Sequence, residues 1–312
     1  MFLVIILMVV LDLVILGSGP AGLTAGIYAG VYKLKFKIIG TDYGMLEKSH
    51  EISNWPGIKV ISGFELVQKI RQHAVEGFNA EILNDTVIEI KKSGKNFVLK
   101  TIDSKVLKCR ALIIANGLAS RHLEIGEEKF IGKGVSYCAT CDARMFKNKT
   151  IGVIGGNDSA AQAALLLSEY CKKVILFYRQ NKLKCQPIYS SKINECKNIE
   201  IIFNSKVVEI SGEKKLEKVM MEIEGKNNAF LLDGLFPEIG AIPQTLFLKD
   251  VGVKFDNAGF IIVDEWQRTN VEGLFAAGDV TATHPHFKQA IVAAGEGAIA
   301  SNAVFKFLKE RQ

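Results

Sequence analysis

Apolar residues run unbroken from Met1 to Leu11, resume after Asp12 as Leu13-Val14-Ile15-Leu16, and stop at a glycine turn, "GSGPAG", that opens the Ala-rich stretch "LTAGIYAG". A short apolar run bounded by glycine and followed by small residues at helical spacing predicts a buried strand, a tight turn and a helix. The same order recurs from Lys149 in "KTIGVIGGNDSAAQAALLLSE". "KFKIIG" and "KKVILFYR" then supply a second parallel strand to each unit, as right-handed βαβ connections require. Between the two units, the alternating apolar positions of "AEILNDTVIEIKKSGKNFVLKTIDSKVLKCRALIIANG" with their Ser-Gly turn predict antiparallel hairpin strands.

The C-terminal stretch reads as a strand at "GFIIVDE", a strand at "GLFAAGD" and a long small-residue helix, without a glycine fingerprint of its own. Such a segment completes an earlier sheet more readily than it builds a third domain. The expectation is an α/β, three-layer fold of two Rossmann-like nucleotide-binding domains with an antiparallel insertion, the second domain inserted in the first. The first domain would comprise residues 1–117 and 242–312, the inserted one 118–241.

At 312 residues the chain has room for two domains. Its net charge of +6 comes from scattered lysines without a basic stripe interleaved with aromatics, so no nucleic-acid partner is expected. No apolar run reaches the roughly 20 residues of a membrane span. The apolar N-terminus has no preceding basic residue and no small-residue cleavage site, so it does not read as a signal peptide; Leu11 to Leu16 read as the buried first strand, the residues before it as a short extra strand or surplus, and Met8 is an equally workable start. The six cysteines then belong to a reducing, cytoplasmic setting.

In "GSGPAG", Gly17 permits the tight turn, Gly19 lets a pyrophosphate approach the backbone, and Gly22 lets helix and strand pack closely. The phosphate would sit at the helix N-terminus, against the free N–H groups of the turn from Ser18 through Ala21 to Gly22, in which Pro20 has none to offer. Asp42, twenty residues on, is placed either for a ribose hydroxyl or as a solvated loop acid.

"SYCATCDARM" carries Cys138 and Cys141. Zinc would need two further ligands at comparably tight spacing. Cys109, Cys171, Cys185 and Cys196 stand alone, and His284 and His286 lie far along the chain. A buried pair packed as small hydrophobes and a reversible disulfide remain, and the second is favoured because thiols this close can open and close, with Asp142 adjacent to shuttle a proton.

In their order, "GSGPAG", "ISNWPG", "CATCD", "IGGNDSAA" and "GLFAAGD…KQAI" make the chain resemble the low-molecular-weight thioredoxin reductases, FAD-dependent pyridine nucleotide-disulfide oxidoreductases. The resemblance implies noncovalent FAD along Gly17, Gly19 and Gly22, with Asn54 near the flavin, Gly278 and Asp279 on the ribityl and phosphate side, and Gln289 and Ala290 at the pyrimidine edge. It implies that Cys141 is the thiol nearest the flavin, Cys138 the one that attacks the partner's disulfide, and Asp142 the acid/base. It also implies a homodimer, a thioredoxin- or glutaredoxin-like partner, and rotation of the inserted domain between two arrangements.

Against that family the second fingerprint departs. Gly155, Asp158, Ser159 and Ala160 stand where the nicotinamide cofactor would lie, but Asn157 replaces a glycine, and Gln162 stands where a carboxylate is usual. Of the arginines that grip the 2′-phosphate of NADPH only Arg179 survives, with Gln180 and Lys184 in place of others; lysine offers a point charge and glutamine none. NADPH is therefore a doubtful donor, beside NADH, reduced deazaflavin or flavin, and ferredoxin. In the FAD half, Met45 takes the place of a glutamine, and Asn116 that of a threonine, either of which can cap the next turn. The rival readings are an enzyme like the ferredoxin/flavodoxin–NADP reductases, which has no use for paired thiols, and a non-catalytic flavin redox sensor.

Overall fold

The computed structural model describes residues 9–41, 44–284 and 287–311. The chain divides into two compact units. One takes the residues up to Glu47, Ser53–Ala119 and those from Pro243 onward; the other takes Lys48–Ile52 and Ser120–Ile242.

The first unit is built on β1 (Val10–Leu16), α1 (Pro20–Val31), β2 (Phe36–Ile39), α2 (Gly63–Gln72), β3 (Ile82–Leu83), β4 (Val87–Ser93), β5 (Asn96–Thr101) and β6 (Val106–Ile114). β7 (Leu118–Ser120) leads out of it. β1 pairs in parallel with β2 and with β6, while β4, β5 and β6 run antiparallel, the hairpin expected from the alternating pattern. In β1 both faces are buried, and its alternation separates them: Leu13 and Ile15 enter the core under the helices, Val14 and Leu16 the core on the opposite face. A strand covered on both sides reads as an uninterrupted apolar run, which is why Leu13 to Leu16 show no alternation.

The second unit carries α3 (Ala139–Asp142), β8 (Thr150–Ile154), α4 (Asp158–Ser168), β9 (Lys173–Phe177), α5 (Pro187–Glu195) and β10 (Ile199–Ile202), then β11 (Ser205–Ser211), β12 (Lys218–Ile223), β13 (Lys226–Leu231) and β14 (Gly234–Pro237). Its main sheet is parallel in the order β10-β9-β8-β14. β11, β12 and β13 form a separate antiparallel meander that the sequence reading did not place.

β15 (Ala241–Pro243) returns the chain and forms a two-stranded sheet with β7. β16 (Leu274–Ala276) then joins the end of β6 in parallel, so the C-terminal segment does complete the first sheet. The strand expected at "GFIIVDE" forms only isolated bridges at Ile261. Asp256 Oδ1 takes the N–H groups of Ala258 and Phe260 and Asp264 Oδ1 those of Trp266 and Arg268, local turns that compete with a ladder. The last helix, α6 (Ala290–Lys309), is long and apolar enough to cross a membrane, but half of it is buried within the protein. It packs on α1 so closely that a Cβ at Gly297 would lie 2.1 Å from Ala21 O.

Candidate active site

The first fingerprint is a turn that only glycine fits. Gly17 has φ +113° and lies against the backbone of the neighbouring strand, where a Cβ would be 2.1 Å from Ala115 O; at Gly22 a Cβ would be 1.9 Å from Gly17 O. Ser18 is buried. Gly19 is the N-cap of α1, Pro20 opens the helix, no side chain caps it, and its first turn holds no acid. That leaves a positive helix end facing the turn. Gly44 approaches from the other side, 3.7 Å from Gly19 Cα for a Cβ built on it. Asp42, expected at the ribose, lies outside the described residues.

From the C-terminal segment, Gly278 (φ +82°) brings its loop onto the same turn, its Cβ position 2.8 Å from Ala21 Cβ. Asp279 follows it, and burial pushes its carboxyl up to about 6, with Lys288 pulling it down and Glu296 pushing it up. Gln289 is the N-cap of α6 and Ala290 its first residue, and no side chain caps this helix either. Asn54 Nδ2 donates to Gln289 Oε1 across 235 residues of sequence, at 3.0 Å. The structure thus gathers the glycine turn with Gly278, and Asn54 with Gln289. An open helix end, glycines at each point of close approach and a recessed carboxyl form a cradle that could hold an elongated dinucleotide such as FAD, the helix end at α1 being the one suited to a pyrophosphate.

Asn116 does not cap the turn that follows it. Its Nδ2 donates to Gln244 O at 2.7 Å, which fixes the amide orientation and leaves a buried Oδ1 without a partner. The sequence also gave no signal for Glu296, a carboxylate on α6 that accepts the Gly278 N–H at 2.7 Å and the Thr283 hydroxyl at 2.7 Å.

In the second unit Cys138 and Cys141 are joined in a disulfide. Cys138 is the N-cap of α3, and the Cys141 N–H donates to its Sγ at 3.2 Å. Ser136 Oγ accepts the Cys138 N–H, and Thr140 Oγ1 donates to Lys48 O at 2.5 Å, tying the motif to the Lys48–Ile52 segment. Cys141 is exposed, while Cys138 and Asp142 are half-buried. The other four cysteines are free: Cys109 and Cys171 are buried, and burial pushes their thiols up to about 12 and about 11.

Just before the pair, Tyr137 donates its hydroxyl to Glu127 Oε1 at 2.8 Å. Glu127 is fully buried and also takes the N–H groups of Leu123, Glu124 and Ile125. Burial raises its carboxyl, but these bonds outweigh it and hold the group at about 2. His122 and Glu128 lie close enough to share a cation with it, but its oxygens are already taken.

The second fingerprint differs from the first in its filling. Gly155 (φ +148°) repeats the tight turn, with a Cβ position 2.3 Å from Glu238 O. Asn157 is the N-cap of α4 and its Oδ1 accepts the Ala160 N–H at 3.0 Å. Asp158 accepts two bonds from Gln186, and Arg179 is exposed. Ser159 and Ala160 complete the first turn of the helix. Glu238, which the motifs did not single out, directly follows β14, and burial pushes its carboxyl up to about 7 against the pull of Lys48.

The profile of the pyridine nucleotide-disulphide oxidoreductase family matches residues 11–297. The thioredoxin reductase of Listeria monocytogenes is 37% identical over 305 residues, covering 96% of this chain and 94% of that protein. Among solved structures, the Lactococcus lactis thioredoxin reductase superposes with a TM-score of 0.91 at 37% identity, covering 96% of this chain and 99% of that one. The T. acidophilum thioredoxin reductase gives 0.89 at 38% identity, over 95% and 98% of the two chains. Glycine cradle, paired cysteines and whole-length similarity agree: the chain belongs to the pyridine nucleotide-disulphide oxidoreductase family and is an FAD-dependent disulfide oxidoreductase related along nearly its whole length to thioredoxin reductases.

Proposed function

We propose that the protein passes electron pairs through the Cys138–Cys141 disulfide to the disulfide of a small thioredoxin- or glutaredoxin-like protein. The observation that carries this is a disulfide at the N-cap of a helical turn with a backbone N–H on one of its sulfurs. Bound FAD would supply the electron pair. Gly17, Ser18, Gly19, Pro20, Ala21 and Gly22 would hold its pyrophosphate, Gly278 and Asp279 its ribityl and phosphate side, and Asn54, Gln289 and Ala290 its ring system.

Two electrons and two protons open the S–S bond to two thiols, and Asp142 is the neighbouring group for one of those protons. The Cys141 N–H stabilises negative charge on Cys138 Sγ, which favours Cys138 as the attacking thiolate. Its sulfur forms a mixed disulfide with one partner sulfur and releases the other as a thiol. Cys141 then attacks Cys138, the internal bond reforms, and the partner leaves fully reduced. Cys141, the more exposed residue of the two, is the one assigned to the flavin side.

Of the places where the chain passes between the units, those after Ala119 and Ile242 lie within three residues of Gly117 (φ +61°) and Gly240 (φ +100°), glycines with open space where a side chain would stand. Such residues absorb the backbone change that a rotation of the inserted unit needs. The four free cysteines suit a reducing, cytoplasmic setting, and the homodimer that the resemblance implies is read by sedimentation.

Anaerobic reduction of a thioredoxin by the holoprotein, with each donor class in turn, tests the reading. Turnover that disappears in Cys138→Ser supports it. A yellow, folded protein that reduces no protein disulfide with any donor, chemically reduced flavin included, would leave the sensor reading in its place.

A further inference from the structure

One chain contains two copies of the same strand-turn-helix device, and the backbones at their helix N-caps are nearly superposable. Gly19 has φ −81° and ψ −173°; Asn157 has φ −91° and ψ −176°. What differs is what fills the space ahead of each helix. At α1 no side chain caps the end and the first turn carries no acid. At α4 the Asn157 amide folds back and its Oδ1 takes the Ala160 N–H at 3.0 Å, the donor that a phosphate at a helix N-terminus would use.

Three further features close the same place. Asp158, the first helical residue, sets a carboxylate at the positive helix end, which neutralises the dipole and repels a second anion. Its two oxygens each take a 2.7 Å bond from Gln186, one from the backbone N–H and one from Nε2. The Lys184 N–H donates to Gly156 O, also at 2.7 Å. These bonds fasten the Lys184–Gln186 stretch beside the turn. The Tyr178 ring lies on Gly156, so that a Cβ there would be 2.5 Å from three ring atoms, and the Tyr178 hydroxyl bonds Gln180 Oε1 at 3.2 Å.

The glycines that survive here have packing reasons. Gly155 lies against Glu238 O and Ala160 Cβ, just as Gly17 lies against Ala115 O. Only the middle position of the fingerprint serves a ligand alone, and there the glycine is gone.

We infer that the second unit is closed by its own Asn157, Asp158 and Tyr178 to the pyrophosphate of a pyridine nucleotide, so that neither NADPH nor NADH lodges at α4 and the unit serves as the carrier of the Cys138–Cys141 pair. The inference rests on the disulfide-reductase reading but concerns only nucleotide binding.

The test is calorimetric titration of the oxidised holoprotein with NADPH, NADH and 2′,5′-ADP, for the wild type, Asn157→Gly, Asp158→Asn and the double variant. FAD absorbance and thermal melting report folding of each. The wild type should show no saturation up to about 1 mM. Each single change should strengthen nucleotide binding by about fivefold, since a cap or a charge at a helix end is worth roughly 1 kcal/mol. Micromolar binding by the wild type, or folded variants that bind no better than it does, would overturn the closure. In a parallel arm, thiol counts after dithionite reduction follow the Cys138–Cys141 bond without any nucleotide. Failure of that arm speaks against the reductase reading, whatever the titrations show.

Discussion

Glu296 Oε2 accepts the backbone N–H of Gly278 at 2.7 Å, so a buried carboxylate of α6 closes on a loop eighteen residues earlier. The same carboxylate takes the hydroxyl of Thr283, and the next residue, Gly297, is where α6 touches Ala21 in the first turn of α1. One junction therefore sets the spacing between the two walls of the proposed FAD cradle.

Removing that acceptor leaves a buried N–H unpaired, which costs about 1–3 kcal/mol. Glu296→Ala is expected to lower the melting temperature of the apoprotein and to release FAD more readily, and Glu296→Gln, which keeps an acceptor, to fall between it and the wild type. Melting curves and flavin fluorescence on dilution measure both. Unchanged FAD release in Glu296→Ala would detach this junction from the cofactor.

The contrast between Gly19 and Asn157 can be moved from one unit to the other. Gly19→Asn gives α1 the self-cap of α4 and is expected to weaken FAD retention by about tenfold or more, through lost donors and crowding. Equilibrium dialysis reads the change, with Gly19→Ala as the variant that adds bulk without a cap.

The sulfurs have separate assignments. With Cys141→Ser, attack by Cys138 on a partner disulfide is expected to stop at the mixed disulfide, visible as a covalent complex on a non-reducing gel; with Cys138→Ser no such complex forms. A complex that forms only with Cys138→Ser would exchange the two roles.

Two carboxyls give opposite pH dependence to the apoprotein. Glu127, held at about 2 against an ordinary 4.5, contributes stability that is present above pH 4.5 and lost as pH falls toward 2. Asp279, raised to about 6 from 3.8, binds its proton more tightly in the folded state, so its contribution falls as pH rises from about 4 to 6. Melting temperatures from pH 2.5 to 7 should show both slopes. Glu127→Gln is expected to remove the acid slope and Asp279→Asn the one above it.

Much of the fold was legible because it depends on local pattern. β1 and β8 announce themselves as apolar runs ending in glycine, and the β4–β6 hairpins as alternation around a turn. The β11–β13 meander was missed because its strands mix exposed polar residues with buried Val207, Ile210, Val219 and Met221, and no fingerprint adjoins them. The Cys138–Cys141 motif and the glycine turn were visible as spacing. Glu296, Glu127 and the Asn116–Gln244 bond were not, since each acts on backbone groups that only folding brings near. "AAGEGA" reads only as part of a small-residue helix until the Gly278 N–H is seen to donate to Glu296. The loss of glycine at Asn157 was plain in the sequence, but the self-cap and the Gln186 fastening that give it meaning were not.

The central claim is that electrons leave the flavin through the paired cysteines. The most direct measurement is an anaerobic dithionite titration of the holoprotein, with the 450 nm flavin band and free thiols followed together. Two new thiols per chain, mapped to Cys138 and Cys141 and appearing as the titrant is consumed, are the expected result. A flavin bleached to completion while the Cys138–Cys141 bond stays intact would contradict it.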